Sequence, residues 1–108
     1  MTAHAASSPA SSFVVAADHP SLAGHFPGDP IVPGVVILER VIEAAGRWLG
    51  RPVAVEGLPQ VKFVAPLRPG ERADVTLRLE GSTLAYSVMR DDVLVSRGSL
   101  RLRATTAP

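Results

Sequence analysis

Apolar and polar residues alternate along the C-terminal half of the chain. Between residues 73 and 80 the apolar positions are Ala73, Val75, Leu77 and Leu79, and every residue between them is polar. A period of two predicts a β-strand with one face in the core and the other in water. Further strands are predicted over four segments, residues 13–17, 53–64, 84–89 and 93–103, of which the second is interrupted by Gly-Leu-Pro.

One segment, residues 34–49, has the length and the stop signal of a helix. It reads GVVILERVIEAAGRWL, carries apolar residues on most of its circumference, and is followed by Gly50. Arg40, Glu43 and Arg47 fall on one stripe, which we interpret as the solvated face, with Glu43 and Arg47 spaced for an ion pair. One apolar helix followed by antiparallel strands predicts an α+β fold, with a curved antiparallel sheet wrapped around one long central helix.

The length of the chain sets the domain organisation. A sequence of 108 residues with 46% hydrophobic content fits one small domain. The Ala/Ser-rich residues 1–12 and the last residues, 104–108, predict disordered ends, which leaves 13–103 as the domain. A domain of this size leaves apolar surface uncovered, so we expect a homodimer, or a larger oligomer built of dimers.

Charge and cysteine content exclude several kinds of partner and chemistry. A formal net charge of +1 provides no long-range field for nucleic acid or a membrane. No apolar run approaches the roughly 20 residues that span a bilayer, and no signal-peptide pattern is present, so we expect a soluble, cytoplasmic protein. The absence of cysteine excludes disulfides, thiolate chemistry and cysteine-ligated zinc.

Two further sets of residues have both a structural and a functional interpretation. Asp18, His19, His25 and Asp29 match no metal-ligand spacing, so we predict no metal site and interpret His19 as a loop residue. The second set, on one face of the last predicted strand, is Arg97, Arg101 and Arg103. These arginines form either a solvated face balanced by acids on neighbouring strands, or a docking patch for an acidic carrier protein.

The loop before the helix reads HFPGDPIVPG over residues 25–34. It begins with a histidine, which three prolines follow. Ile31, Val32 and Pro33 offer no side-chain cap for the helix. The backbone amides of Gly34 and Val35 are therefore suited to hold a carbonyl oxygen that gains negative charge. The alternative is that Asp29 folds back as the cap.

Glu39 lies at the border of the charged stripe of the helix. Its neighbours on the helix surface are Val35, Val36, Ile42 and the like-charged Glu43, and no cation of the same helix faces it. A carboxyl group among aliphatic side chains suits a general acid. The alternative is an edge glutamate whose carboxylate reaches water, and periodicity alone does not decide between the two.

The segment GHFPGDPIVPGVVILE, residues 24–39, resembles the active-site segment of the bacterial 3-hydroxyacyl-acyl-carrier-protein dehydratases. Their pattern, G-H-F-P-x-x-P-x-x-P-G-V-x-x-x-E, is matched at every fixed position, and VKFVAPLRPGE over 61–71 is similar to a later segment of the same family. The resemblance implies the hotdog fold, which agrees with the helix and sheet predicted above. The compact chain also resembles the subfamily of dehydratases from aryl-polyene and related pigment clusters.

The resemblance also implies a reaction. The substrate would be a 3-hydroxyacyl thioester on the phosphopantetheine arm of acyl carrier protein, and loss of water would give a trans-2-enoyl thioester in fatty-acid or polyene-type biosynthesis. His25 would take the α-proton and Glu39 would assist departure of the β-hydroxyl. The amide of Gly34, with that of Val35, would polarise the thioester carbonyl.

Several further expectations follow from the same resemblance. Phe26 and Pro33 are interpreted as wall residues of a substrate channel, with a core position as the alternative for Phe26. In this family the histidine and the glutamate come from different subunits of a dimer, and no metal or redox cofactor is required. Two other functions stay open: a hotdog acyl thioesterase, and a non-catalytic subunit that binds the acyl carrier.

Overall fold

One α-helix and six strands make up residues 5–22 and 30–103, the parts of the chain that the computed structural model describes. The helix, α1, spans Gly34–Leu49, and one turn of 3₁₀ helix spans Pro20–Leu22. The strands are β1 (Ala5–Ser7), β2 (Ser11–Val14), β3 (Val55–Phe63), β4 (Arg72–Glu80), β5 (Thr83–Arg90) and β6 (Val93–Leu102). None of the described helices is long and apolar enough to cross a membrane.

The strands form a single antiparallel sheet in the order β1-β4-β5-β6-β3, and β2 also pairs with β4. Tight turns join β4 to β5 and β5 to β6. Their left-handed positions are Gly81, with φ of 62°, and Asp91, with φ of 52°. Glycine adopts this conformation without strain and aspartate tolerates it, so both turns match the sequence.

The helix begins and ends where the sequence predicts. Pro33 is the N-cap residue, and Gly50 ends the helix in the left-handed conformation, with φ of 73° and its N–H donating to the Gly46 carbonyl. The helix is buried on one face only, through Val36, Ile37, Val41, Ala44 and Ala45. This face packs into one core with the alternating inner residues of the sheet, among them Val75, Leu84, Val88 and Leu100.

A buried hydrogen-bond chain fixes one corner of this core. Ser96 is fully buried, and its Oγ donates to the Lys62 carbonyl at 2.7 Å. Because that donation uses the only hydroxyl proton of Ser96, the Tyr86 hydroxyl donates to Ser96 Oγ at 2.8 Å. Burial raises the pKa of the Tyr86 hydroxyl. These two hydrogen bonds link β5, β6 and the end of β3.

The structure differs from the prediction of a disordered segment over residues 1–12. Residues 5–7 form β1 on the edge of β4, and β2 continues along the same edge from Ser11. Between them, Ser8 donates its N–H to the Leu77 carbonyl and accepts the Leu77 N–H on its Oγ, both at 2.9 Å. The prediction is therefore wrong for residues 5–12, because backbone pairing with an open edge needs no apolar side chains.

The interruption expected within residues 53–64 is an irregularity instead of a break. β3 runs continuously, but its register with β6 shifts between Val55 and Gly57 and again between Gly57 and Gln60. The shifts coincide with Gly57-Leu58-Pro59, where proline cannot donate to the ladder. β3 lies at an edge of the sheet, which is where a strand tolerates proline.

Gly98 of β6 allows β3 to approach closely. A Cβ at Gly98 would collide with the Gln60 carbonyl oxygen and lie 2.9 Å from Val61 Cα and 3.0 Å from Tyr86 Cε2. We expect Gly98→Ala to lower the free energy of unfolding by about 2 kcal/mol or more, measured by chemical denaturation. Gly57→Ala is the matched control on the same strand pair, since its Cβ would lie 3.8 Å from Arg101 Cβ. Equal stabilities of the two variants would contradict this account.

Candidate active site

An apolar groove with a volume of about 420 Å³ opens at the N-terminus of α1. It lies between the residues that lead into the helix and the residues that follow β3. Its lining consists of Ile31, Val32, Pro33, Gly34, Ile37, Phe63, Val64, Ala65, Pro66 and Leu67. The Val32 N–H donates to the Leu67 carbonyl at 2.8 Å, and the Val64 N–H donates to the Val95 carbonyl at the same distance. Both walls are therefore held by backbone hydrogen bonds.

Gly34, the first residue of α1, lines this groove, and Val35 follows it on the exposed side of the helix. Pro33 makes no capping hydrogen bond, and its carbonyl accepts the N–H of Val36 at 3.0 Å and of Ile37 at 3.3 Å. Among the described residues no acceptor is bonded to the N–H of Gly34 or Val35. Because these amides lie at the positive end of the helix dipole, they can stabilise an oxygen that gains negative charge. Asp29, the alternative cap, lies outside the described residues.

The Phe63 ring occupies the space that a side chain at position 34 would need. A Cβ on Gly34 would lie 2.6 Å from Phe63 Cζ and 2.8 Å from Cε2. The ring itself is about half exposed, with 49% of its area accessible, so it packs against the helix start and also borders the groove. Sequence analysis did not single out Phe63. Phe63 belongs to VKFVAPLRPGE, the second segment that resembles the family, and this resemblance could have indicated it.

Glu39 lies one turn beyond Val35 on an exposed face of α1. Val35 is 63% accessible, and the Glu39 side chain is also exposed. In the single chain the Glu39 carboxylate therefore reaches water. This matches the second interpretation of the sequence, an edge glutamate. The ion pair on the neighbouring stripe joins Arg40 to Glu43 at 3.3 Å, so the prediction that Glu43 pairs with Arg47 is not met.

Glu39 lines a second cavity, of about 330 Å³, together with His19. Arg40, Ile42 and Glu43 complete its lining. His19 was interpreted from sequence as a loop residue, and its proximity to Glu39 depends on how the segment before the 3₁₀ turn folds back onto α1. The described residues contain no group of three or more His, Asp or Glu side chains that could hold a metal ion.

The residues that the motif predicted lie in four places. Val35 lines neither cavity and is exposed on α1. Pro33, Gly34 and the newly found Phe63 meet at the groove. Glu39 lies at the second cavity, on the same helix. His25 and Phe26 lie outside the described residues. The buried Leu22 and Val32 stand on either side of that stretch of sequence.

No acidic residue is a direct register partner of Arg97 or Arg101 within the described strands. The register partners of Arg97 and Arg101 are Ser87, Lys62, Thr83 and Gly57. Arg103 follows the strand, and its N–H donates to the Ala54 carbonyl at 2.8 Å. No ion pair is formed by these three arginines within residues 5–22 and 30–103.

A family model described as "ApeI-like: ApeI dehydratase" matches residues 2–99. The chain belongs to this family. The FabZ 3-hydroxyacyl-acyl-carrier-protein dehydratase of Chlamydia trachomatis is 40% identical over 80 residues, covering 66% of this chain and 51% of that protein. The FabZ of Syntrophobacter fumaroxidans is 34% identical over 73 residues, covering 60% and 50%. The chain therefore spans about half the length of the curated relatives it matches.

Solved structures confirm the predicted hotdog fold. The dehydratase heterocomplex ApeI:P from Xenorhabdus doucetiae superposes with a TM-score of 0.79 at 21% identity, covering 96% of this chain and all of that chain. An uncharacterized protein from Erwinia carotovora subsp. atroseptica superposes with a TM-score of 0.74 at 27% identity, covering 95% and 87%. The family model and the FabZ relatives confirm the family predicted from the 24–39 segment.

The contact between Gly34 and Phe63 generates a prediction about coupling. Gly34→Ala should lower the free energy of unfolding by about 1–2 kcal/mol, because the new methyl group displaces the Phe63 ring. In a Phe63→Ala background the same substitution should cost less than about 0.5 kcal/mol, since the ring is gone. Chemical denaturation of the four proteins in this double-mutant cycle measures the coupling. Equal costs in both backgrounds would show that the ring does not constrain position 34.

Proposed function

We propose that this chain dehydrates a 3-hydroxyacyl thioester carried on acyl carrier protein to the trans-2-enoyl thioester, in fatty-acid or polyene-type biosynthesis in the cytoplasm. The observation that carries the proposal is an apolar groove that reaches the start of α1, where the N–H groups of Gly34 and Val35 have no bonded acceptor among the described residues. Family membership and the intact 24–39 motif support the same reaction. A groove of this chemistry accommodates an acyl chain and orients its thioester carbonyl.

Proton transfer in the proposed mechanism is divided between two side chains. The His25 imidazole takes the α-proton, and the electrons move toward the thioester carbonyl, whose oxygen the Gly34 and Val35 amides stabilise. The bond between the β-carbon and its hydroxyl then breaks as the Glu39 carboxyl donates a proton, so that water leaves. His25 ends protonated and Glu39 deprotonated, and exchange with solvent restores both groups. The reaction requires no metal and no redox cofactor.

We infer that the working unit is a homodimer in which His25 of one chain faces Glu39 of the other. β3 is an edge strand of the described sheet, and an edge strand presents backbone groups without a partner strand. Large apolar side chains are exposed along and beyond this edge and on α1, at Leu58, Phe63, Val64 and Val35. Burial of this surface by a second copy would also cover Glu39, which is exposed in the single chain.

The reaction is tested with a carrier protein loaded with 3-hydroxyacyl chains. Mass spectrometry of the intact carrier should show loss of one water from the acyl group, and no loss with the His25→Ala variant. Release of the carrier thiol would instead identify a thioesterase. Binding of the carrier without any change in mass would identify a non-catalytic subunit, and either outcome would overturn the proposal.

Two glutamates one turn apart on α1 provide a matched pair of variants. Glu39→Gln should lower kcat by about a hundredfold or more with little change in KM, because the amide keeps its shape but cannot donate the carboxyl proton. Glu43→Gln should leave kcat within about twofold, since Glu43 pairs with Arg40 on the solvated stripe. Steady-state kinetics measure both. A larger loss from Glu43→Gln would reverse the assignment of the two residues.

If the site is shared between subunits, mixing two inactive variants should restore activity. Inactive His25→Ala and inactive Glu39→Gln proteins should regain activity when their subunits exchange, because each mixed dimer contains one intact pair. With random exchange at equal concentration, about half of the dimers are mixed and each has one working site of two. Recovery should therefore approach about a quarter of wild-type activity. If native mass spectrometry verifies exchange and activity stays absent, both residues act within one chain.

A further inference from the structure

Ser96 places a hydroxyl group in the apolar core. Apart from Tyr86, it is the only buried residue with a polar side chain among the side chains that the structure describes. A buried hydroxyl costs free energy unless it is hydrogen-bonded, and an apolar side chain would avoid that requirement. Ser96 meets the requirement with two bonds, one from the Tyr86 hydroxyl and one to the Lys62 carbonyl. A fully bonded buried pair of this kind rigidifies the backbone that it contacts.

The strand β6 departs from regular alternation at Ser96. Its register with β5 shifts immediately after Val88, and two consecutive residues, Val95 and Ser96, are both fully buried. Irregularities of this kind redirect single residues and are common beside functional sites. Here the Val95 carbonyl accepts the N–H of Val64 at 2.8 Å and that of Ala65 at 3.3 Å. The irregular part of β6 therefore anchors the residues that form one wall of the groove.

Hydrogen bonds to β6 hold the peptide groups on both sides of Phe63. On the N-terminal side, the Ser96 hydroxyl donates to the Lys62 carbonyl. On the C-terminal side, the Val64 N–H donates to the Val95 carbonyl. The backbone of Phe63, which is the register partner of Ser96, is therefore fixed on both sides.

This fixed backbone determines where the Phe63 ring lies. The ring occupies the space beside Gly34 and borders the groove, so it limits the room next to the first amide of α1. In the proposed reaction this amide binds the thioester carbonyl, and the α-carbon of the acyl group is bonded directly to that carbonyl. A methyl branch on the α-carbon would therefore compete with the ring for the same space.

We propose that Ser96 is a positioning residue that keeps the Phe63 ring beside the thioester, so that the site selects acyl groups without a branch at the α-carbon; this inference rests on the proposed function. Ser96 is fully buried and acts on the substrate only through Phe63. Tyr86 supports it by donating to Ser96 Oγ, which leaves the Ser96 proton for the Lys62 carbonyl. Without the Ser96 hydroxyl, the peptide group before Phe63 loses this hydrogen bond, and the ring is free to move away from Gly34.

A competition between two substrates in one mixture tests this role. Acyl carrier protein is loaded with a straight-chain 3-hydroxyacyl group or with its 2-methyl analogue, which keeps one α-hydrogen, and mass spectrometry follows the loss of water from each. The ratio of the two rates does not depend on how much enzyme is folded, because both substrates meet the same enzyme. Wild type should prefer the straight chain by about tenfold or more, and Ser96→Ala should reduce the preference to about threefold or less.

Ser87→Ala is the matched control. The Ser87 hydroxyl is hydrogen-bonded to that of Thr76 at 2.6 Å, between β5 and β4 on the other face of the sheet. The variant loses a hydrogen bond between two hydroxyl groups, as Ser96→Ala does, but neither Ser87 nor Thr76 lines the groove. Its preference should equal that of wild type. An equal relaxation in Ser87→Ala would show that the effect is not specific to the groove, and would overturn the inference.

Two further variants separate positioning from a merely structural role. Tyr86→Phe/Ser96→Ala removes both hydroxyl groups, so neither is left buried without a partner, and it should relax the preference as far as Ser96→Ala does. Phe63→Ala should relax it as well, and adding Ser96→Ala should then cause no further change, since the ring is gone. The inference is overturned if wild type shows no preference, if Ser96→Ala keeps the wild-type preference, or if the two substitutions add.

If wild type dehydrates neither substrate, the proposed function fails, and the position of the ring is then measured by stability. Gly34→Ala should lower the midpoint of chemical denaturation less in the Ser96→Ala background than in wild type, because a released Phe63 ring can move away from the new methyl group. An equal loss in both backgrounds would show that Ser96 does not hold the ring, and would overturn the inference independently of catalysis.

Discussion

The first backbone amides of α1 determine which residues can lie around the start of the helix. Among the described residues no side chain caps the first N–H groups of α1, and leaving such groups unsatisfied in an apolar setting costs free energy. Gly34 lines an apolar groove, and the acceptor that we propose there is a ligand carbonyl. Gly34 keeps the helix start narrow enough for the Phe63 ring to lie against it. The binding site and the packing of β3 on the helix thus depend on the same residue.

Much of the fold could be predicted because its signals are local. Gly50 ends α1 as expected, and the alternation over 73–80 matches the inner and outer faces of β4. The N-terminal segment could not be predicted in this way. Its residues are small and polar, and β1 forms because β4 offers an open edge and Ser8 bonds twice to Leu77. Such pairing depends on the partner strand and leaves no pattern in the segment itself.

The candidate site could likewise be predicted only where the signal is local. The motif identified Glu39, Gly34 and Val35, because their spacing along one helix is fixed by the helix itself. That Phe63 and His19 line the two cavities could not be predicted, since their positions beside α1 depend on long-range packing that periodicity does not encode. The pairing of Phe63 with Ser96 was equally inaccessible, because it depends on the register of β3 after its two shifts.

Hydration of a trans-2-enoyl thioester in water labelled with heavy oxygen tests the central claim most directly, since it runs the proposed reaction in reverse. The account predicts that the label appears in a hydroxyl group on the β-carbon while the thioester stays intact, as seen by mass spectrometry of the product and its fragments. Label in the carboxylate of a released free acid would contradict it, because water would then have attacked the carbonyl that the helix amides are proposed to hold.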